Sequence, residues 1–75
     1  QIFYGPSKNG DNTNRFSFEY SLLLKEGWSQ VKQKTDEYGN IYYLFKKNES
    51  YLSLDMYSLA GFICIYETTN LSFYD

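Results

Sequence analysis

From Trp28 onward the chain alternates apolar and polar side chains in short runs broken by turn residues. Ile41–Lys47, Ser50–Tyr57 and Phe62–Thr68 read as strands, because successive side chains of a strand point to opposite faces of its sheet. Asp36-Glu37-Tyr38-Gly39-Asn40 and Asn48-Glu49 supply hairpin turns, and Gly39 can take the positive φ such turns need. Ser58-Leu59-Ala60-Gly61 turns the chain into the last strand. Trp28–Thr35 is a more polar strand, placed at or near an edge, where Lys32 and Lys34 discourage pairing with another sheet. The pattern is an antiparallel meander.

Residues 15–27 carry two periods at once. Phe16, Tyr20, Leu23 and Leu24 share one face of a helix, whereas Phe16, Phe18, Tyr20, Leu22 and Leu24 alternate as in a strand. The flanks favour the helix. Asn12, Thr13 and Asn14 are N-cap residues, and Gly27 followed by Trp28 is the signature of a left-handed helix ending with an apolar back-contact. The spacing therefore predicts a helix from about Asn14 to Glu26, with a strand to about Ser21 as its competitor. The expected fold class is α+β, one helix packed on a three- to five-stranded antiparallel meander sheet. The length of 75 residues allows one domain, 1–75. Within it, residues 1–13 form either a mobile arm or a short edge strand built on Ile2-Phe3-Tyr4. Leu71, Phe73 and Tyr74 mark a last short strand or a packed extension.

Alternation sorts the sheet into two faces. Leu52, Leu54, Met56, Ile63 and Ile65, joined by Ile41, Tyr43 and Phe45, form the aliphatic side; the helix covers it with Phe16, Tyr20, Leu23 and Leu24. The other side carries Tyr42, Tyr51, Ser53, Asp55, Tyr57, Phe62, Cys64 and Tyr66. Tyrosine offers a large rigid ring with a hydrogen-bonding tip, so such a face suits contact with a partner. Tyr42, Tyr51, Tyr57, Phe62, Tyr66 and Asp55 are the candidate contact residues, with Asp55 read as an exposed strand position. Two plainer readings stand beside this one. The rings can pair across strands to stabilise a half-exposed sheet, or the face can pack on a second copy or on further parts of a longer protein.

Composition narrows the chemistry. Nine Tyr, six Phe and one Trp are the opposite of a disordered composition. A net charge of −2 argues against nucleic acid as a partner, and Lys32, Lys34, Lys46 and Lys47 read as solvated positions on two strands. There is no His and a single Cys, which removes Ser-His and Cys-His pairs and the usual zinc sets. Cys64, in an apolar run, reads as a buried small hydrophobe. No glycine-rich phosphate loop and no transmembrane-length apolar run occurs. No catalytic residue, metal or cofactor is expected, and the chain reads as a non-enzyme.

Leu23-Leu24-Lys25-Glu26-Gly27-Trp28, then Tyr42-Tyr43-Leu44-Phe45-Lys46-Lys47, Leu52-Ser53-Leu54 and Phe62-Ile63-Cys64-Ile65-Tyr66 follow one another in order. This order resembles small exported bacterial proteins and lipoproteins in which a helix ending in Gly-Trp precedes a meander. The resemblance implies an α+β, non-enzymatic module located outside the cytoplasm, secreted or lipid-anchored. The leading expectation is a protein-interaction module of an exported or surface-attached bacterial protein, with self-association through the aromatic face as one form of partner. The alternative is a small acidic cytoplasmic inhibitor or immunity-type protein, in which Asp36, Glu37, Glu49 and Asp55 would meet a basic enzyme site.

Overall fold

The computed structural model describes residues 2–4, 13–58 and 61–75. In chain order these form β1 (Ile2–Tyr4), α1 (Thr13–Lys25), β2 (Ser29–Thr35), β3 (Ile41–Lys47), β4 (Ser50–Tyr57), β5 (Phe62–Glu67) and a 3-10 turn (Leu71–Tyr74). The strands make one antiparallel sheet in the order β1-β5-β4-β3-β2. One helix on an antiparallel sheet is the α+β architecture the alternation predicts. Ile2–Tyr4 pairs with β5 as an edge strand. The expected loop through residues 5–12 and its mobility, the capping role of Asn12, and Leu59 and Ala60 of the last turn lie outside the described residues.

The helix ends as its sequence dictates. Gly27 sits at φ +98°, its N–H donates to the Leu24 carbonyl at 3.1 Å, and the Trp28 N–H donates to the Leu23 carbonyl at 3.0 Å. This pair of bonds is the Schellman arrangement, and it satisfies carbonyls that the last turn would otherwise leave unpaired. Trp28 then folds back against the core beneath the helix. Asn48, at φ +55°, makes the tight turn between β3 and β4, a conformation asparagine tolerates better than most residues.

The core lies between α1 and the sheet: Leu23, Phe45, Leu54, Ile63 and Ile65 are buried, with Phe16, Tyr20, Trp28, Tyr43 and Leu52 packed around them. Leu24 departs from expectation. It is 48% exposed, because adjacent residues point about 100° apart around a helix and Leu23 is the one aimed at the sheet. β2 carries a bulge at Val31, between the pairs Gln30–Phe45 and Lys32–Leu44. The extra residue leaves Val31 exposed and shifts the strand's alternation by one. Among the described residues no helix is long and apolar enough to cross a membrane.

Candidate interaction surface

The sheet face away from α1 is laid out by strand register. Tyr42, Asp55 and Cys64 stand side by side on β3, β4 and β5; Leu44, Ser53 and Tyr66 form the next row; Tyr57 and Phe62 are paired at one end and Lys46 and Tyr51 at the other. The alternation therefore brings the six candidate contact residues to one face.

The face is not open, however. The C-terminal turn lies across it, and Tyr74, buried at 6% exposure, joins Tyr42 and Leu44 in a second apolar cluster flanked by Tyr51, Tyr57 and Leu71. Two lysines of β2 hold the turn down. Lys32 pairs with the Asp75 carboxylate, while Lys34 donates to the Phe73 carbonyl at 2.8 Å and sits 4.5 Å above the Phe73 ring. The remaining lysines of the expected solvated group stand over rings as well, Lys46 over Tyr51 at 5.5 Å and Lys47 over Trp28 at 6.0 Å. Each cation lies where the negative face of an aromatic ring attracts it.

At the centre is Asp55. Its expected exposure is corrected here: it has no accessible surface, and neither has Ser53 beside it. The physical reason is the cover just described together with a full set of donors. Ser53 Oγ donates to Oδ1 of Asp55, and the Tyr57 and Tyr66 hydroxyls both donate to Oδ2, at 2.9 and 2.8 Å. The Tyr74 hydroxyl in turn donates to Ser53 Oγ. A buried carboxylate is tolerable only when its lone pairs are used, and here neutral hydroxyls use them; among the described residues no lysine or arginine pairs with it. Burial first, and then donation to the carboxylate, pushes the Tyr57 and Tyr66 phenols above their ordinary range. Burial also raises Tyr74.

Tyr42 is tied elsewhere. Its ring is buried and meets Tyr57 and Phe73 nearly edge-on, with centroids 5.7 and 4.9 Å away. Its hydroxyl donates to Asp36 Oδ2 at 2.8 Å. Asp36 organises its hairpin loop: it also accepts from the Tyr38 and Asn40 backbone N–H groups and from the Asn40 side-chain amide. Burial works against its charge, yet the hydrogen bonds from Tyr42, Asn40 and Tyr38 prevail and hold its carboxyl below the ordinary value. Burial, then the bond to Asp36, raises the Tyr42 phenol.

The geometry divides the candidates. Asp55 and Tyr42 are interior groups. Tyr51, Tyr57, Phe62 and Tyr66 are half-buried and keep ring surface facing outward; Tyr57 and Phe62 stand together with centroids 4.7 Å apart, and Tyr66 borders a cleft of about 200 Å³ with Asn70 and Phe73. Of the four acids proposed for an inhibitor, Asp36 and Asp55 are consumed by internal hydrogen bonds, whereas Glu37 and Glu49 are exposed at the two hairpin tips. Sequence reasoning did not assign the parts played by Ser53 and Tyr74. The signal for Ser53 was present, a Ser-x-Asp-x-Tyr alternation that puts a hydroxyl on each side of a carboxylate on one strand face. Tyr74 had only its apolar neighbours in the tail to mark it. No known protein family, curated protein or solved structure matches this chain.

Proposed function

We propose that the protein is a non-catalytic protein-interaction module, contacting its partner through Tyr51, Tyr57, Phe62 and Tyr66 around the rim of the C-terminal turn. The observation that carries this reading is the fixing of two of those rings: the hydroxyls of Tyr57 and Tyr66 are held by one buried carboxylate while part of each ring faces outward. Rings already locked in one orientation lose little freedom when a partner settles on them, and such preorganisation raises affinity without adding contacts. Aromatic side chains are also the residues that most often dominate interface energetics. That the module belongs to an exported or surface-attached bacterial protein is supported by the order of sequence motifs alone.

Site-specific photo-crosslinking tests the proposal. Benzoylphenylalanine is placed at Tyr51 or Phe62 on this face, or at Phe18 on the exposed side of α1, in cells that produce the protein. A discrete protein adduct from the first two positions and none from Phe18 is the expected result. Adducts from Phe18 alone, or from no position, refute the assigned surface.

A further inference from the structure

The helix side of the sheet holds a second feature, independent of the tyrosine rim. Between α1 and β2 runs a groove of about 420 Å³, within the size range of small-molecule sites. Three rings wall it: Phe16 and Tyr43 lie 5.2 Å apart, and Tyr20 stands nearly perpendicular to Tyr43 at 5.8 Å. Its remaining lining is neutral and polar, Ser17 and Ser21 from the helix with Gln30 and Gln33 from β2. Among the described residues no Lys, Arg, Asp or Glu lines it. The Tyr20 hydroxyl donates to Gln30 Oε1 and so fixes that amide. The Gln30 Nε2 hydrogens, the Gln33 amide and the two serine hydroxyls have no side-chain partner among the described residues.

The geometry points to a binding site for a neutral saccharide. A sugar ring has apolar C–H faces that rest on aromatic rings, and an equator of hydroxyls that both donate and accept. Amide and hydroxyl side chains answer both demands, and rings with such groups beside them are what this groove supplies. A purely apolar ligand would strip water from four polar side chains without replacing it. A phosphate or acidic polymer would find no cation among the described residues that line the groove. The other macromolecular occupant, an extended peptide added to the edge of β2, meets a strand interrupted by the bulge at Val31 and carrying Lys32 and Lys34, features that oppose strand addition.

The test is a titration of the 15N-labelled full chain, followed by amide chemical shifts. The probes are three uncharged tetrasaccharides (cellotetraose, chitotetraose and maltotetraose), a tetragalacturonate, and an extended alternating Thr-Val peptide. The expected result is a saturable shift at Ser17, Ser21, Gln30, Gln33 and Tyr43 with at least one uncharged tetrasaccharide. In the double variant Ser17→Ala, Gln33→Ala that affinity falls roughly tenfold or more, the loss of two hydrogen bonds. Both positions are exposed, so the variant keeps its fold, and an unchanged spectrum elsewhere verifies this. The proposal is overturned by no shift with any uncharged probe at millimolar concentration, by an equal response to tetragalacturonate, or by shifts running along β2 with the peptide alone.

Discussion

Removing the Asp55 carboxylate is the sharpest test of how the tyrosine face is built. Three hydroxyls donate to it, and a hydrogen bond to a charged group is worth about 1.5–3 kcal/mol. The sum is not the expected loss, because burying the carboxylate carries its own desolvation penalty of several kcal/mol. The partners also differ in what they can do afterwards. Tyr57 and Tyr66 are half-exposed and can turn their hydroxyls to water, whereas Ser53 is fully buried. Asp55→Ala therefore strands one buried hydroxyl, at about 1–3 kcal/mol, and leaves a void under Tyr74. We expect a net destabilisation of about 3 kcal/mol. For a domain of this size the total stability is roughly 4–11 kcal/mol, so the variant stays folded but lies much closer to its midpoint. With a urea slope near 1 kcal/mol/M, the midpoint falls by about 2–3 M. The coupling is checked in the same assay: Tyr66→Phe destabilises the native chain but is nearly silent in the Asp55→Ala background. A variant as stable as the native chain, or additive losses in the double variant, would refute the account of Asp55 as the acceptor on which the face is organised.

Other outcomes follow from the same geometry. Gly27→Ala meets no steric obstacle, its added Cβ lying 3.6 Å from the Lys47 Cε; the cost is the left-handed backbone, about 1–2 kcal/mol, read as a fall in Tm of roughly 4–8 °C per kcal/mol, and an unchanged Tm contradicts the Schellman ending. Above the ordinary tyrosine value of 10.0, the unfolded chain ionises while Tyr57 and Tyr66 in the folded chain do not, so stability declines as pH rises. Phenolate absorbance of Tyr42, Tyr43, Tyr57, Tyr66 and Tyr74 should therefore appear late and together with loss of the near-ultraviolet dichroism. Early, independent ionisation of all nine would contradict the burial of these hydroxyls. Asp36 has the opposite sign: its folded value is lowered, so its contribution is present above 3.8 and is lost as pH falls through the folded value. Asp36→Asn should flatten the acid limb of stability against pH, and an unaltered limb would show that the loop bonds do not favour its charge.

Local chemistry made the helix and its ending readable, since Gly27, Trp28 and the apolar positions before them act within a few residues of one another. Alternation likewise assigned the faces, placing Leu54, Ile63 and Ile65 under the helix and Tyr42, Tyr57 and Tyr66 opposite. What covers a face is a different matter, because cover comes from residues far along the chain. Leu71-Ser72-Phe73-Tyr74 is too short to have a period, and nothing near Asp55 in sequence announces that Tyr74 will lie over it. The same holds for the groove between α1 and β2. Phe16, Tyr20 and Tyr43 read as core, and only the placement of the helix beside an outer strand leaves them partly open next to Gln30 and Gln33. The width of the helix stripe was illegible for a similar reason: either Leu23 or Leu24 could face inward until the docking angle was set.

The pairing of β1 with β5 has a kinetic consequence. β2, β3 and β4 each meet the next strand through a short connection, so the four strands β2 to β5 can zip in sequence as local hairpins. Ile2 finds its partner Ile65 only across nearly the entire described chain, the largest loop to be closed and the smallest ladder to repay its entropy. During synthesis β1, the earliest made of these five strands, is thus the last of them to acquire a neighbour, and until β5 arrives it waits as a loose end beside a sheet that is otherwise assembled.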